Sequence, residues 1–123
     1  MLHYKDRVWE IITNPGSSPT ITLSSTPKDA SYKTVASVFE VGDNFYYLIK
    51  GLTTWEVGLG TYLGAGSFSR DTVLSNSSGT TALISFAAGT YDFMNIVASE
   101  TVQQLAAYSI TPLYSKFANH LSY

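Results

Sequence analysis

Short alternations of apolar and polar residues, separated by turn-forming clusters, recur along most of this chain. Thr20–Ser24 sets Ile21 and Leu23 against Thr20, Thr22 and Ser24, the period of two that sends successive side chains to opposite faces of a strand. Arg7–Thr13 places Val8 and Ile12 on alternating positions with Glu10 between them, while Trp9 and Ile11 give the other face apolar character too. Thr34–Phe39, Phe45–Lys50, Thr54–Leu63, Ser67–Leu74, Thr81–Phe86 and Tyr91–Val97 continue the series. Between these runs stand Asn14–Pro19, Thr26–Asp29, Gly42–Asn44, Gly64–Gly66, Asn76–Gly79 and Ala88–Thr90, all rich in Gly, Pro, Asn, Asp, Ser or Thr. The pattern predicts an all-β, antiparallel β-sandwich or barrel of about eight short strands. No stretch inside residues 6–98 shows helical periodicity.

Trp55–Tyr62 alternates large and small residues and puts Gly58 and Gly60 on the same face as Glu56 and Tyr62. Glycines there admit a neighbouring backbone or create a bulge, so this strand is expected to be central and crowded. Tyr46 and Tyr47 are adjacent, so at most one of them enters the core.

After residue 98 the period changes. Val102, Leu105 and Ala106 fall at helical spacing behind Ser99, a candidate N-cap. Thr111-Pro112 has the form of a second helix start, after which Leu113, Phe117 and Leu121 recur every fourth residue. The expected organisation is a β-domain over residues 1–98 and a short helical or extended docking tail over 99–123. Isolated helices of about ten residues are marginal in water, so the tail is expected to dock on its own β-domain or on another subunit.

Composition narrows the chemistry. Hydrophobic residues make up 45% of the 123 residues and charged residues only 13%, with Ser and Thr about a quarter of the chain; a disordered chain has the opposite balance. A net charge of −2, with seven thinly spread Lys and Arg, argues against nucleic acid as a partner. No Cys is present, which excludes disulfides and thiolate chemistry. The first seven residues lack the apolar stretch of a secretory signal. No apolar run approaches the roughly 18 residues of a membrane span, so neither export by an N-terminal signal nor a membrane is expected.

The two histidines, His3 and His120, lie close to the ends of the sequence, where a strand framework cannot hold them rigidly against a serine. With no Cys, they leave only scattered carboxylates for a metal. Asp43 and Glu56 are the best pair for glycoside hydrolysis, but Gly42-Asp43-Asn44 is ordinary hairpin chemistry and a strand Glu commonly faces water or meets an Arg. Gly58-x-Gly60 and Gly64-x-Gly66 lack the following helix and the Lys-Ser/Thr pair of a phosphate loop. Arg70-Asp71 and Asp6-Arg7 read as structural, because an Arg among strands can bridge carbonyls or hold a carboxylate bidentately. Neither a catalytic residue nor a cofactor is assigned. Trp9, Trp55 and Tyr62 are candidate glycan-stacking or interface aromatics.

One ordered set of motifs resembles a β-domain common in tailed-bacteriophage structural proteins. It runs from Asp6-Arg7-Val8-x-Glu10, through Gly16 and Ile21-Thr22-Leu23, to Phe39 with Gly42-Asp43-x-x-Tyr46-Tyr47-x-Ile49. Trp55-Glu56-Val57-Gly58-x-Gly60-Thr61-Tyr62 is its most specific part. Arg70-x-Thr72-Val73-Leu74, Ser77-Ser78, Phe86 and Gly89-Thr90 complete the order. The resemblance covers residues 6 to about 97 and implies a virion component, often a module at the start of tail fibres or spikes. It carries no catalytic residues. Residues 99–123 lie outside it, which favours an attachment or adaptor role over receptor binding.

The expected function is therefore a non-enzymatic virion structural protein of the tail, baseplate or fibre base, a homo-oligomer whose partners are other phage virion proteins. Val102, Leu105, Leu113, Phe117 and Leu121 are the candidate subunit-interface residues. The alternatives are a capsid decoration protein and a module binding a host-surface glycan.

Overall fold

The computed structural model describes residues 2–97. The expected tail, with Val102, Leu105, Leu113, Phe117 and Leu121, lies outside the described residues, as does the expected boundary at 98. Seven strands and one helical turn follow in chain order: β1 (Trp9–Thr13), β2 (Thr20–Thr22), β3 (Thr26–Pro27), α1 (Val35–Val38), β4 (Asn44–Lys50), β5 (Trp55–Gly64), β6 (Ser67–Asn76) and β7 (Thr90–Ile96). All strands join one antiparallel sheet in the order β2-β6-β5-β4-β7-β1-β3. The chain is all-β, as its alternation predicts, and the described part is a single sheet curled into a half-barrel.

Glycine sets the curl. A Cβ on Gly58 would lie 2.5 Å from the Tyr47 hydroxyl oxygen and 2.7 Å from the Thr72 carbonyl oxygen, and one on Gly60 would lie 2.6 Å from the Ser69 carbonyl oxygen. The β5–β6 register slips between Val57 and Gly58, between Leu59 and Gly60, and again between Tyr62 and Gly64. Bulges of this kind bend a strand and tighten its twist. The crowding expected of Trp55–Tyr62 is present, and it bends the sheet inward. The two ends of the sheet are then bridged by one stretch of chain: Thr20–Thr22 pairs with β6, and Thr26–Pro27 pairs with β1.

The concave side holds the core. Phe45, Tyr47, Phe68 and Phe93 are fully buried there, with ring centroids between 5.0 and 6.3 Å apart. Tyr47 enters the core and Tyr46 faces the other side, as strand parity requires. Val35 and Phe39 of the α1 region and Ile84 and Phe86 of the 77–89 connection close the concave side.

Three segments differ from the alternation reading. Thr34–Phe39 is a helical turn, because Val35, Val38 and Phe39 are all core-facing at the i, i+3, i+4 spacing of a helix. Thr81–Phe86 keeps its alternating burial but makes no ladder. The Asn76 side chain bonds the Ala82 carbonyl and the amides of Ser78 and Thr80, and the Phe86 amide bonds the Gly16 carbonyl. Thr26–Pro27, expected as a turn, is a two-residue edge strand, a place where a proline without an N–H is tolerated.

Candidate functional site

The polar centre of the core joins β5 to β6. Alternation along β5 turns Glu56 inward, and the same alternation on β6 turns Arg70 inward to meet it. Both side chains are fully buried. Arg70 donates from Nε to Glu56 Oε2 at 2.9 Å and from Nη2 to Oε1 at 2.5 Å. Its remaining donors reach the carbonyls of Ser18 and Ile84. Tyr47 donates its hydroxyl to Glu56 Oε2 at 2.6 Å, and the Ile84 amide donates to Oε1 at 2.8 Å. The carboxylate thus accepts four hydrogen bonds, about its full capacity. Burial raises the Tyr47 phenol above its ordinary range, and the hydrogen bond and negative charge of Glu56 raise it further. The arrangement is a clasp: it ties β4, β5 and β6 to the Ser18 turn and the Ile84 segment, and it offers no open position to a substrate.

Glu10 is a second buried carboxylate. Its Oε2 accepts the Val35 amide at 2.6 Å, while Oε1 has no well-formed hydrogen bond. Burial raises its pKa, and the backbone amides of Val35 and Ser25 pull the other way. Asp43 pairs with His3 Nε2 at 3.1 Å. Asp43 and Glu56 are not brought together. Asp43 precedes Asn44 at the start of β4, whereas Glu56 stands opposite Ile49, a separation of about 20 Å along the strand where glycosidases need roughly 5–9.5 Å. Among the described residues no three His, Asp or Glu side chains are grouped to hold a metal ion.

The candidate aromatics divide. Tyr62 is in the core, where its hydroxyl accepts the Gly66 amide. Trp9 and Trp55 face the convex side from β1 and β5, separated by β7 and β4, about 14 Å across the sheet, and by a further two residues along the strands. Trp9 packs edge-on against Tyr32, with the Arg7 guanidinium 4.3 Å above the Tyr32 ring and Lys28 Nζ 5.4 Å above Trp9.

Register assembles the convex face into rows. Trp9 pairs with Met94, Met94 with Leu48, and Leu48 with Val57. All four are large and apolar. The next row joins Ile96 to Tyr46 and Tyr46 to Leu59. None of these seven belongs to the core cluster, although Tyr46 is itself buried and the other six are half-buried. On the other side, Ile11, Asp92, Lys50 and Trp55 form a mixed row, in which Lys28 reaches Asp92 at 3.6 Å. Three shallow hollows of about 170, 290 and 240 Å³ open on this face, each lined in part by β7. Leu2, Tyr4 and Val97 add exposed apolar surface at its rim. Sequence reasoning missed these rows, because β1 and β7 are far in the chain from the β4–β5 pair and only the register makes them neighbours. No protein-family model, curated protein or solved structure matches this chain.

Proposed function

We propose that this protein is a non-enzymatic structural component of a tailed-bacteriophage virion, an adaptor of the tail, baseplate or fibre base that works through protein–protein contacts. The observation that carries the reading is the pair of apolar rows on the convex face, Trp9–Met94–Leu48–Val57 and Ile96–Tyr46–Leu59. A solvated sheet face normally alternates to polar residues; here the row residues are half-buried, Tyr46 is buried, and exposed Leu2, Tyr4, Trp55 and Val97 flank them, an apolar patch of the kind that marks an interaction site. The mixture here, with aromatics and Met prominent and charge kept to the mixed row and the Trp9 edge, is that of the centre of a protein interface. The virion setting comes from the motif resemblance of residues 6–97.

A second reading, glycan binding, is favoured by the Trp9–Tyr32 pair with Arg7 and Lys28 beside it. It predicts a change in tryptophan fluorescence with host polysaccharide. The assembly reading is tested by quantifying the protein in purified phage particles. A low copy number in the tail fraction supports it, a lattice-wide copy number in the head moves it to capsid decoration, and absence from particles overturns it.

A further inference from the structure

Resting on the glycan reading, we propose that the hollow beside β1 binds a carboxylate-bearing sugar, an acidic residue of a polysaccharide, through Arg7. The hollow, of about 240 Å³, is lined in part by Tyr4, Asp6, Arg7, Trp9, Tyr32 and Met94. Arg7 is held in place from several sides. Its backbone has a φ of +65°, a left-handed conformation uncommon for residues other than Gly, Asn and Asp. The preceding amide, that of Lys5, bonds the Asn95 side chain at 2.7 Å, and the Arg7 carbonyl accepts the Lys33 amide at 2.6 Å. The side chain donates from Nε to the Ser31 carbonyl at 3.0 Å, and its guanidinium lies 4.3 Å above the Tyr32 ring. Strained backbone of this kind persists where its surroundings over-determine it, and it gathers at ligand sites. The two Nη groups, by contrast, make no hydrogen bond and no ion pair among the described residues, and Arg7 is exposed. A guanidinium anchored through Nε keeps its outer edge free, and the paired N–H groups of that edge match a carboxylate bidentately. Arg70 commits its charge to Glu56; Arg7 commits its charge to nothing.

The neighbouring groups decide the class of ligand. Arg7 covers one face of Tyr32, and Lys28 stands 5.4 Å above Trp9. A neutral sugar relies on bare ring faces for stacking; these two rings already carry cations, so the site meets a ligand with positive charge first. Lys28 is paired with Asp92 at 3.6 Å, and the Asp29 carboxylate is bonded by the Ser31 amide and hydroxyl. Arg7 is therefore the cation left without a carboxylate. Asp6 beside it is exposed and makes no hydrogen bond or ion pair among the described residues. A free carboxylate next to the arginine accepts from hydroxyls and repels a second acid. A sugar acid brings one carboxylate and a ring of hydroxyls, whereas an acidic peptide brings repeated carboxylates. Exposed Tyr4 and half-buried Met94 supply apolar surface for the C–H face of the ring.

Fluorescence titration of the full-length chain tests this. Trp55→Phe leaves Trp9 as the one indole of the two in the sequence, so the emission reports on the hollow. Oligoglucuronate is expected to change that emission saturably, and a neutral oligoglucose of the same length to bind about tenfold or more weakly. In the same background Arg7→Gln is expected to lose about tenfold or more in affinity for oligoglucuronate. Arg7→Lys, which keeps the charge without the fork, is expected to lose most of it as well. Absence of a response to oligoglucuronate, equal binding of the neutral oligomer, or unchanged affinity in Arg7→Gln overturns the proposal. So does an oligoglutamate that binds as tightly as the sugar acid. Should Arg7→Gln lose its cooperative unfolding transition, the parent protein's choice between the two sugars decides: preference for the acid supports the proposal and no preference overturns it. A protein that responds to host polysaccharide without preferring carboxylate overturns this assignment and leaves the glycan reading standing, whereas no response to any sugar overturns both.

Discussion

Glu56 accepts from Arg70 through both carboxylate oxygens, and also from Tyr47 and the Ile84 amide, so removing it strands several buried groups at once. Breaking a buried ion pair by deleting one partner costs roughly 3–5 kcal/mol. Glu56→Ala is expected to destabilise by about that much in urea denaturation, and a loss below about 1 kcal/mol would show that water replaces the clasp. Glu10 makes stability depend on pH. Its raised pKa means the folded protein binds the proton more tightly than the unfolded chain. Stability from this group is greatest below the ordinary glutamate value and falls as pH rises through the folded pKa. Relative to Glu10→Gln, wild type is therefore expected to gain melting temperature as pH is lowered from 7 towards 4.5; parallel curves for the two proteins would contradict it. At this scale much was legible. Strand parity separates Tyr46 from Tyr47, and an Arg among strands implies a bridging role. That Arg70 meets Glu56 was not legible, because the bulges that set the β5–β6 register have no local signature beyond glycine.

The 77–89 connection shows an element held by side chains instead of a ladder. Its backbone bonds run to Asn76, Glu56, Arg70 and the Gly16 carbonyl. Because the Ile84 amide donates to a buried carboxylate, its hydrogen exchange is expected to be as slow as that of β5 and β6, despite lying outside any strand. Exchange at the rate of an exposed loop would mean the clasp opens independently of the core. Alternation of Ile84 and Phe86 correctly marks a buried face, but burial and pairing are separate properties, and a period of two reports only the first. The reverse holds at α1, where one turn is too short for its spacing to stand out from a strand in the sequence. β5 carries the tightest local constraint. Gly58→Ala drives a Cβ against the Tyr47 hydroxyl and the Thr72 carbonyl, and a loss of roughly 1–3 kcal/mol is expected from overpacking. An unchanged midpoint in denaturant would show that the bulge relaxes to make room.

For the molecule as a whole, the curl concentrates aromatic and buried polar groups inside and leaves an apolar band outside. The inside was legible from alternation. The band was not, since Trp9, Met94 and the Leu48–Val57 pair come from three distant parts of the chain. The band is half-buried, and with exposed Leu2, Tyr4 and Val97 at its rim it forms an apolar patch of the kind that marks an interaction site. The central claim is that this band is an assembly surface. Light scattering on the full-length chain beside Leu48→Asp, with thermal unfolding followed in parallel, tests it most directly. The account predicts a wild-type mass at a multiple of 13.4 kDa and a substituted protein that unfolds cooperatively at the mass of one chain. A wild type already at one chain, or a mass that Leu48→Asp leaves unchanged, would contradict it.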